Sequence, residues 1–351
     1  MSAATTATLS APPVHRQTTV NADGIFQVGL GFWASRTLLS AVELGVFTQL
    51  AEKPMPFDVL RRRIGLHERS ARDFLDALVA LGFLLRRGTL YANAPESETF
   101  LDRTKPTYVG GILEMAAVRL WPTWGRLTES LRSGLPQSTQ TGSGDLFDTL
   151  YDDPERLRGF LKAMTGTSRP AAEAIARLLP WSEVRSFADI GCAEGGLPVI
   201  VAHRYPHLRG VGFDLPQVRP VFEENIEENG LCDRLAFVAG DFFKEELPSA
   251  DVLVMGHILH DWDLAVKRML LAKAYAALPA GGRLVVYEML IDDARSVNVM
   301  GLLMSLNMLV ETAGGFDFTG ADCIGWMNEA GFETASVHHL AGPYSAVVAV
   351  K

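Results

Sequence analysis

Apolar residues recur along this chain in two different rhythms, and the change between them divides it. From residue 25 to about 50, Phe32, Trp33, Leu38, Leu39, Val42, Leu44, Val46 and Phe47 fall at helical spacing but cover too wide an arc for a surface helix. Such a segment needs neighbours on several sides, from its own domain or from a second subunit. Helical spacing resumes over 57–64 and 70–81, and 83–91 reads as a hairpin turned at Gly88. Two helices and a wing predict a winged-helix-like unit over 21–105, preceded by an Ala-, Thr- and Pro-rich tail over 1–20. Residues 106–180 read as a helical linker and pocket wall bearing Met115, Leu120, Trp121 and Trp124. That stretch holds a polar loop at 136–144 and a helix at 155–179 that Pro180 stops.

From Trp181 onward the rhythm shortens. Apolar runs at 186–190, 210–213, 235–238, 251–255, 283–287 and 346–350 alternate with helical stretches, which predicts an α/β domain with a parallel sheet over 181–351. The last run pairs with 335–339 through Ala341-Gly342-Pro343, so the sheet is expected to end in an antiparallel hairpin.

At 351 residues and 48% apolar, the chain is long enough for two cored domains and is not a disordered polymer. It shows no secretory start and no long uncharged apolar run, and Cys192, Cys232 and Cys323 lack metal-ligand spacing; a cytoplasmic protein off the membrane is expected. A net charge of -9 disfavours a polyanionic partner. The winged helix invites a DNA-binding alternative. Its seven arginines (Arg61, Arg62, Arg63, Arg69, Arg72, Arg86, Arg87) face only four acids, but 70–76 alternates sign and apolarity like a packing helix, so a structural or dimerising role is preferred over nucleic acid.

The chemistry gathers at the predicted strand ends. Phe187-Ala188-Asp189-Ile190 runs into Gly191-Cys192-Ala193-Glu194-Gly195-Gly196, and Asp214 ends the next strand. Small residues let the backbone approach a ligand, and an acid at the neighbouring strand end accepts from ribose hydroxyls, so a nucleoside-containing cofactor is expected here. The loop lacks the full dinucleotide pattern, and its free N–H groups suit a carboxylate. Gly240-Asp241-Phe242 offers an acid and a ring to an adenine, although Phe242 also reads as plain core and Asp214 as a helix cap. Met255 to Asp263 contains His257, His260, Asp261 and Asp263. His260 is placed to take a proton, with Glu288, Glu311 or Asp317 able to orient it, while His257 reads more readily as a core histidine. No compact third-ligand motif accompanies the histidines, so no metal is expected. Met300, Leu303, Met304, Asn307, Met308 and Glu311 fall on one helical stripe that is either core or a floor for a flat substrate.

Asp189-Ile190-Gly191, Gly212-Phe213-Asp214-Leu215-Pro216, Gly240-Asp241-Phe242-Phe243 and His260-Asp261-Trp262, supported by 278–282 and 328–332, resemble the S-adenosylmethionine-dependent small-molecule O-methyltransferases of plants and bacteria. The resemblance runs from about residue 25 to the end. It implies a Rossmann-like class I methyltransferase domain behind a winged-helix-like dimerisation domain, and a homodimer acting on a small aromatic substrate in secondary metabolism. It assigns His260 as base, Glu288 and Asp317 as its orienting acids, and Gly191, Glu194, Gly195, Asp214, Leu215, Gly240, Asp241, Phe242, Gly256 and His257 to S-adenosylmethionine. Trp121, Trp124, Asp261, Met304, Asn307, Met308 and Glu311 are expected around the acceptor. Two positions depart from the family pattern: relatives carry a Glu with basic neighbours near Asp317, and plant relatives a Lys at Gly256. These departures leave open carbon methylation ortho to the hydroxyl of an aromatic amino acid, whose carboxylate or amine Arg119, Arg126 or Asn307 would hold.

Overall fold

The structure is a computed structural model and describes residues 21–105, 107–138 and 153–351. The expected tail at 1–20 and the loop from 139 lie outside the described residues. The apolar run near the start is three helices, Asp23–Gly29, Gly31–Glu43 and Val46–Ala51. Gly45 separates the last two at φ 69°, a left-handed conformation that favours glycine. Strand β1 (Met55–Pro56), helices Phe57–Arg63 and Glu68–Ala80, and the hairpin β2 (Leu84–Arg87) and β3 (Leu90–Asn93) complete the unit. Val46, Phe47, Leu60, Leu75, Leu78 and Tyr91 form its core. Its arginines serve the fold: Arg72 stacks 4.4 Å from the Phe57 ring centre, Arg86 pairs with Asp76 at 2.5 Å, and Arg61 donates to the Leu66 carbonyl.

The stretch expected to be a pocket wall folds as helix Gly110–Met115, a π-turn over Ala116–Leu120, and helices Trp121–Trp124 and Leu127–Ser133. Helix Pro154–Leu178 then packs against both Gly110–Met115 and the later Gly196–Arg204. It carries Pro170 internally, where Thr167 and Ser168 hydroxyls donate to the Ala163 and Met164 carbonyls.

The large sheet comprises β4 (Ser186–Ile190), β5 (Arg209–Asp214), β6 (Leu235–Ala239), β7 (Val252–Gly256), β8 (Arg283–Glu288), β9 (Thr334–Ala341) and β10 (Tyr344–Val350). Their order is β6-β5-β4-β7-β8-β10-β9, parallel except for β10, which runs antiparallel to both neighbours. Two apolar layers cover it, one through Phe187 and Val252, the other through Ala188 and Leu253. Successive strands proceed outward from β4 and then resume at β7 on its other side. The order therefore reverses between β4 and β7, which opens a crevice at their carboxyl ends. Among the described residues no helix is long and apolar enough to cross a membrane.

The first helix buries no residue, and Phe32 and Trp33 beyond it are 51% and 62% exposed. They line a groove of about 490 Å³ with Leu44, Leu66, Phe74 and Trp121. A face this apolar is expected to meet a second copy of the chain. Replacing Phe32 and Trp33 together with glutamates should convert a dimer to a monomer in light scattering with the fold retained by circular dichroism; an unchanged mass would remove this face from the association.

Candidate active site

The loop from β4 to helix Gly196–Arg204 turns at Gly191 with φ 73°, where a Cβ would come within 2.2 Å of the Ile258 side chain. The first edge loop therefore touches the segment two residues before His260. Ala193 is also left-handed, at φ 50°. It is held by Asp214, whose carboxylate accepts from the N–H of Ala193 at 3.0 Å and of Leu215 at 2.8 Å. Burial nevertheless pushes the Asp214 carboxyl up to about 6. Asn225 fixes the Glu194 carbonyl at 2.7 Å, and burial raises the Glu194 carboxyl. Asp189, inside β4, is driven to about 8 by burial and by the charge of Asp214. No site role was foreseen for Asp189, although an acid within an apolar strand is itself a signal.

At the β6 end, Gly240 follows the strand beneath the Phe213 ring. Asp241 pairs with Lys244 at 2.8 Å and accepts from the Phe243 N–H, while Phe242 and Phe243 stand edge-on to Trp262. Phe242 is thus packed against the core as well as facing this edge. Gly256 has a reason absent from any motif: a Cβ there would lie 2.0 Å from the Tyr287 ring.

His260 sits on the short turn Leu259–Asp261 after β7 and is buried. Its Nδ1 lies 3.4 Å from Asp317 Oδ1 and 3.7 Å from Glu288 Oε2, and its Nε2 3.6 Å from Asp261 Oδ1. Its backbone N–H donates to Glu288 Oε1. Burial disfavours the imidazolium, but Glu288, Asp261 and Asp317 outweigh it and raise His260 to about 10. Burial raises Glu288 and pushes Asp261 up to about 6. The Nδ1 of His257, a residue expected at the cofactor, is 3.5 Å from Glu288 Oε2, and its ring meets Tyr287 and Tyr344 edge-on. Burial, with His260 beside it, lowers His257 to about 3, so it is neutral at physiological pH. His257, His260 and Glu288 bring one donor atom each within 4.8 Å of one another.

The methionine stripe forms helix Val299–Glu311. Asn307 accepts from Trp124 Nε1 at 2.8 Å, and Glu311, almost fully buried, pairs with Arg119 of the π-turn. Met308 is buried and Met304 half-buried. Trp121 lies beneath the Arg36 guanidinium on the amino-terminal groove. Arg126 is committed to Glu129 on the exposed side, away from the carboxylate-holding role considered for it. Lys267, wholly buried near the acids, was missed altogether.

A family profile described as the O-methyltransferase domain matches residues 124–333, and one described as the O-methyltransferase dimerisation domain matches 26–103. The chain is 44% identical over 328 residues to the tetracenomycin polyketide synthesis 8-O-methyl transferase TcmO of Streptomyces glaucescens, covering 93% of this chain and 96% of that protein. It is 39% identical to the N,N-dimethyltransferase OxyT of Streptomyces rimosus, over 82% and 83%. The solved human N-acetylserotonin methyltransferase in complex with SAM superposes with a TM-score of 0.88 at 27% identity, covering 95% of this chain and 99% of that one.

The crevice fits such a donor by charge. Asp189 and Asp214 are carboxyls that burial holds above their ordinary range, and a cationic ligand beside them would favour their ionised forms. In the imidazole cluster, NMR titration of labelled His260 should show its pKa falling by roughly one to three pH units in Asp317→Asn, because a carboxylate that favours the imidazolium has gone. An unaltered titration would take Asp317 out of the cluster.

Proposed function

This chain belongs to the S-adenosylmethionine-dependent O-methyltransferase family, and from that premise we propose that it methylates a phenolic oxygen of a polyketide-type aromatic in secondary metabolism. Support for the acceptor class comes from TcmO, the polyketide enzyme 44% identical to it. The observation that carries the mechanism is the contact between Gly191 and Ile258, which sets the donor loop against the segment bearing His260.

Asp317 and Glu288 lie on the Nδ1 side of His260 and Asp261 near its Nε2, and in the neutral imidazole Nε2 would accept the phenolic proton. The imidazolium formed is then stabilised by the same acids. When bound, the donor supplies an electrophilic methyl group on a cationic sulfonium, a charge that opposes protonation of a nearby imidazole. Asp189 and Asp214 would hold the donor's cationic end and ribose, with Asp241 and Phe242 at its base. Asn307, fixed by Trp124, and the flexible Met304 would bound the acceptor, so much of the acceleration comes from alignment. The face around Phe32 and Trp33 would be the dimer contact.

In assays with S-adenosylmethionine and a panel of hydroxynaphthoates and hydroxyanthraquinones, His260→Ala should lower turnover by roughly 10²- to 10⁴-fold. Calorimetric affinity for S-adenosylhomocysteine should stay within a few-fold of wild type. Wild-type turnover in the variant would remove His260 as base. With a ¹³C-methyl donor, product NMR should show the label on oxygen; label on carbon, or on nitrogen as the name of OxyT describes, would overturn the oxygen assignment.

A further inference from the structure

Lys267 stands in the first turn of helix Leu264–Ala277 with no exposed surface. Its ammonium donates to the Trp262 carbonyl and sits 3.6 Å from the centre of the Phe316 ring and 5.6 Å from that of Phe318. A buried ammonium is strongly disfavoured unless its surroundings answer its charge. Burial lowers this ammonium to about 8, while Glu288, Asp317, Asp261 and Asp263 act in the opposite direction and favour its charge. The position is also topologically special. Trp262 directly follows His260-Asp261, and Phe316 and Phe318 flank Asp317. One cation therefore touches both segments that place carboxylates on opposite nitrogens of the imidazole.

We propose that Lys267 is a positioning residue for His260. It ties Trp262 to Phe316 so that Asp261 and Asp317 keep their places, and in its charged form it offsets the three carboxylates that hold the imidazole proton. The inference rests on His260 being the base. The charged and titratable groups facing this cluster are Glu288 from β8, His257 after β7, Asp261 and Asp263 beside it, and Asp317 from the loop before helix Gly320–Ala330. Arg119, paired to Glu311, acts on Asp261 from the pocket wall, and Cys323 feels Glu288 from that same helix. Among these, the cations besides His260 itself are Lys267 and Arg119, and only Lys267 lies free of a carboxylate ion pair.

The sign follows directly. Without the Lys267 charge the acids favour the imidazolium more, so the neutral base appears only at higher pH. In Lys267→Met, assayed with S-adenosylmethionine and a hydroxynaphthoate, the acid limb of the kcat profile should move up by roughly one pH unit, which is about a tenfold loss of turnover below the limb. S-adenosylhomocysteine affinity should stay within a few-fold of wild type, while the thermal midpoint should fall, because the buried acids lose a neighbouring cation. Lys267→Arg keeps the charge and should leave the limb in place with a several-fold lower kcat. Wild-type turnover and an unmoved limb in Lys267→Met would overturn the proposal. Should that variant not fold, Phe316→Leu removes the ring beneath the ammonium and should move the limb in the same direction; an unmoved limb there overturns it equally. NMR titration of His260 reads the coupling without turnover. A raised His260 pKa in a chain that methylates nothing would sustain the coupling while discarding the assignment as base.

Discussion

Ionisable groups withdrawn from water govern the carboxyl edge of this sheet. Glu288 and Asp317 have no exposed side-chain surface, and each carries a buried oxygen without a hydrogen-bond partner. Such carboxylates are tolerated only where positive charge stands close. His260 and Lys267 supply it, and the backbone is arranged to keep them near. Parallel pairing sets Gly256 opposite Tyr287, which delivers Glu288 beside the two histidines. The loop bearing Asp317 passes so closely over the 260–261 backbone that a Cβ on Gly315 would lie 2.7 Å from the His260 and Asp261 carbonyl oxygens. Thr312 pins that loop by accepting from the Gly315 N–H, and Ser305 by accepting from the Asp317 N–H.

The sheet was readable in advance because its strands are short apolar runs buried on both faces, with turn residues between them. Observed and expected strands agree to within a residue or two, including the closing hairpin. The first apolar segment was harder. Its wide arc was visible, but not the breaks at Leu30 and Gly45 that make three helices of one run. Of the residues that local motifs mark, His260, Glu288 and Asp317 lie together, and Asp214 ends β5 at the same edge of the sheet. The features that escaped are those whose partners lie far along the chain. Gly256 answers to Tyr287, thirty-one positions on, Arg119 to Glu311, and Lys267 to Phe316. Pairings over such separations leave no periodicity in a single sequence.

The two halves of the molecule use apolar surface differently. In the sheet domain large side chains such as Trp181, Phe187 and Phe213 are sealed within one copy. In the amino-terminal unit Ile25, Phe26, Val28, Phe32 and Trp33 remain outward, beside a core that is already complete in Phe47, Leu60, Leu75 and Tyr91. The inner core gives the unit its own stability, so the outer stripe is free to serve association.

The π-turn at Ala116–Leu120 has a consequence of its own. A single extra residue is accommodated there, and every side chain downstream is thereby rotated by about 100° relative to a regular helix. Arg119 lies within the turn and Trp124 just past it, and both reach helix Val299–Glu311. Losing or gaining one residue at this point would swing the wall as a unit while β7, β8 and the imidazole stayed where they are. The register of this one turn thus sets how the two segments meet.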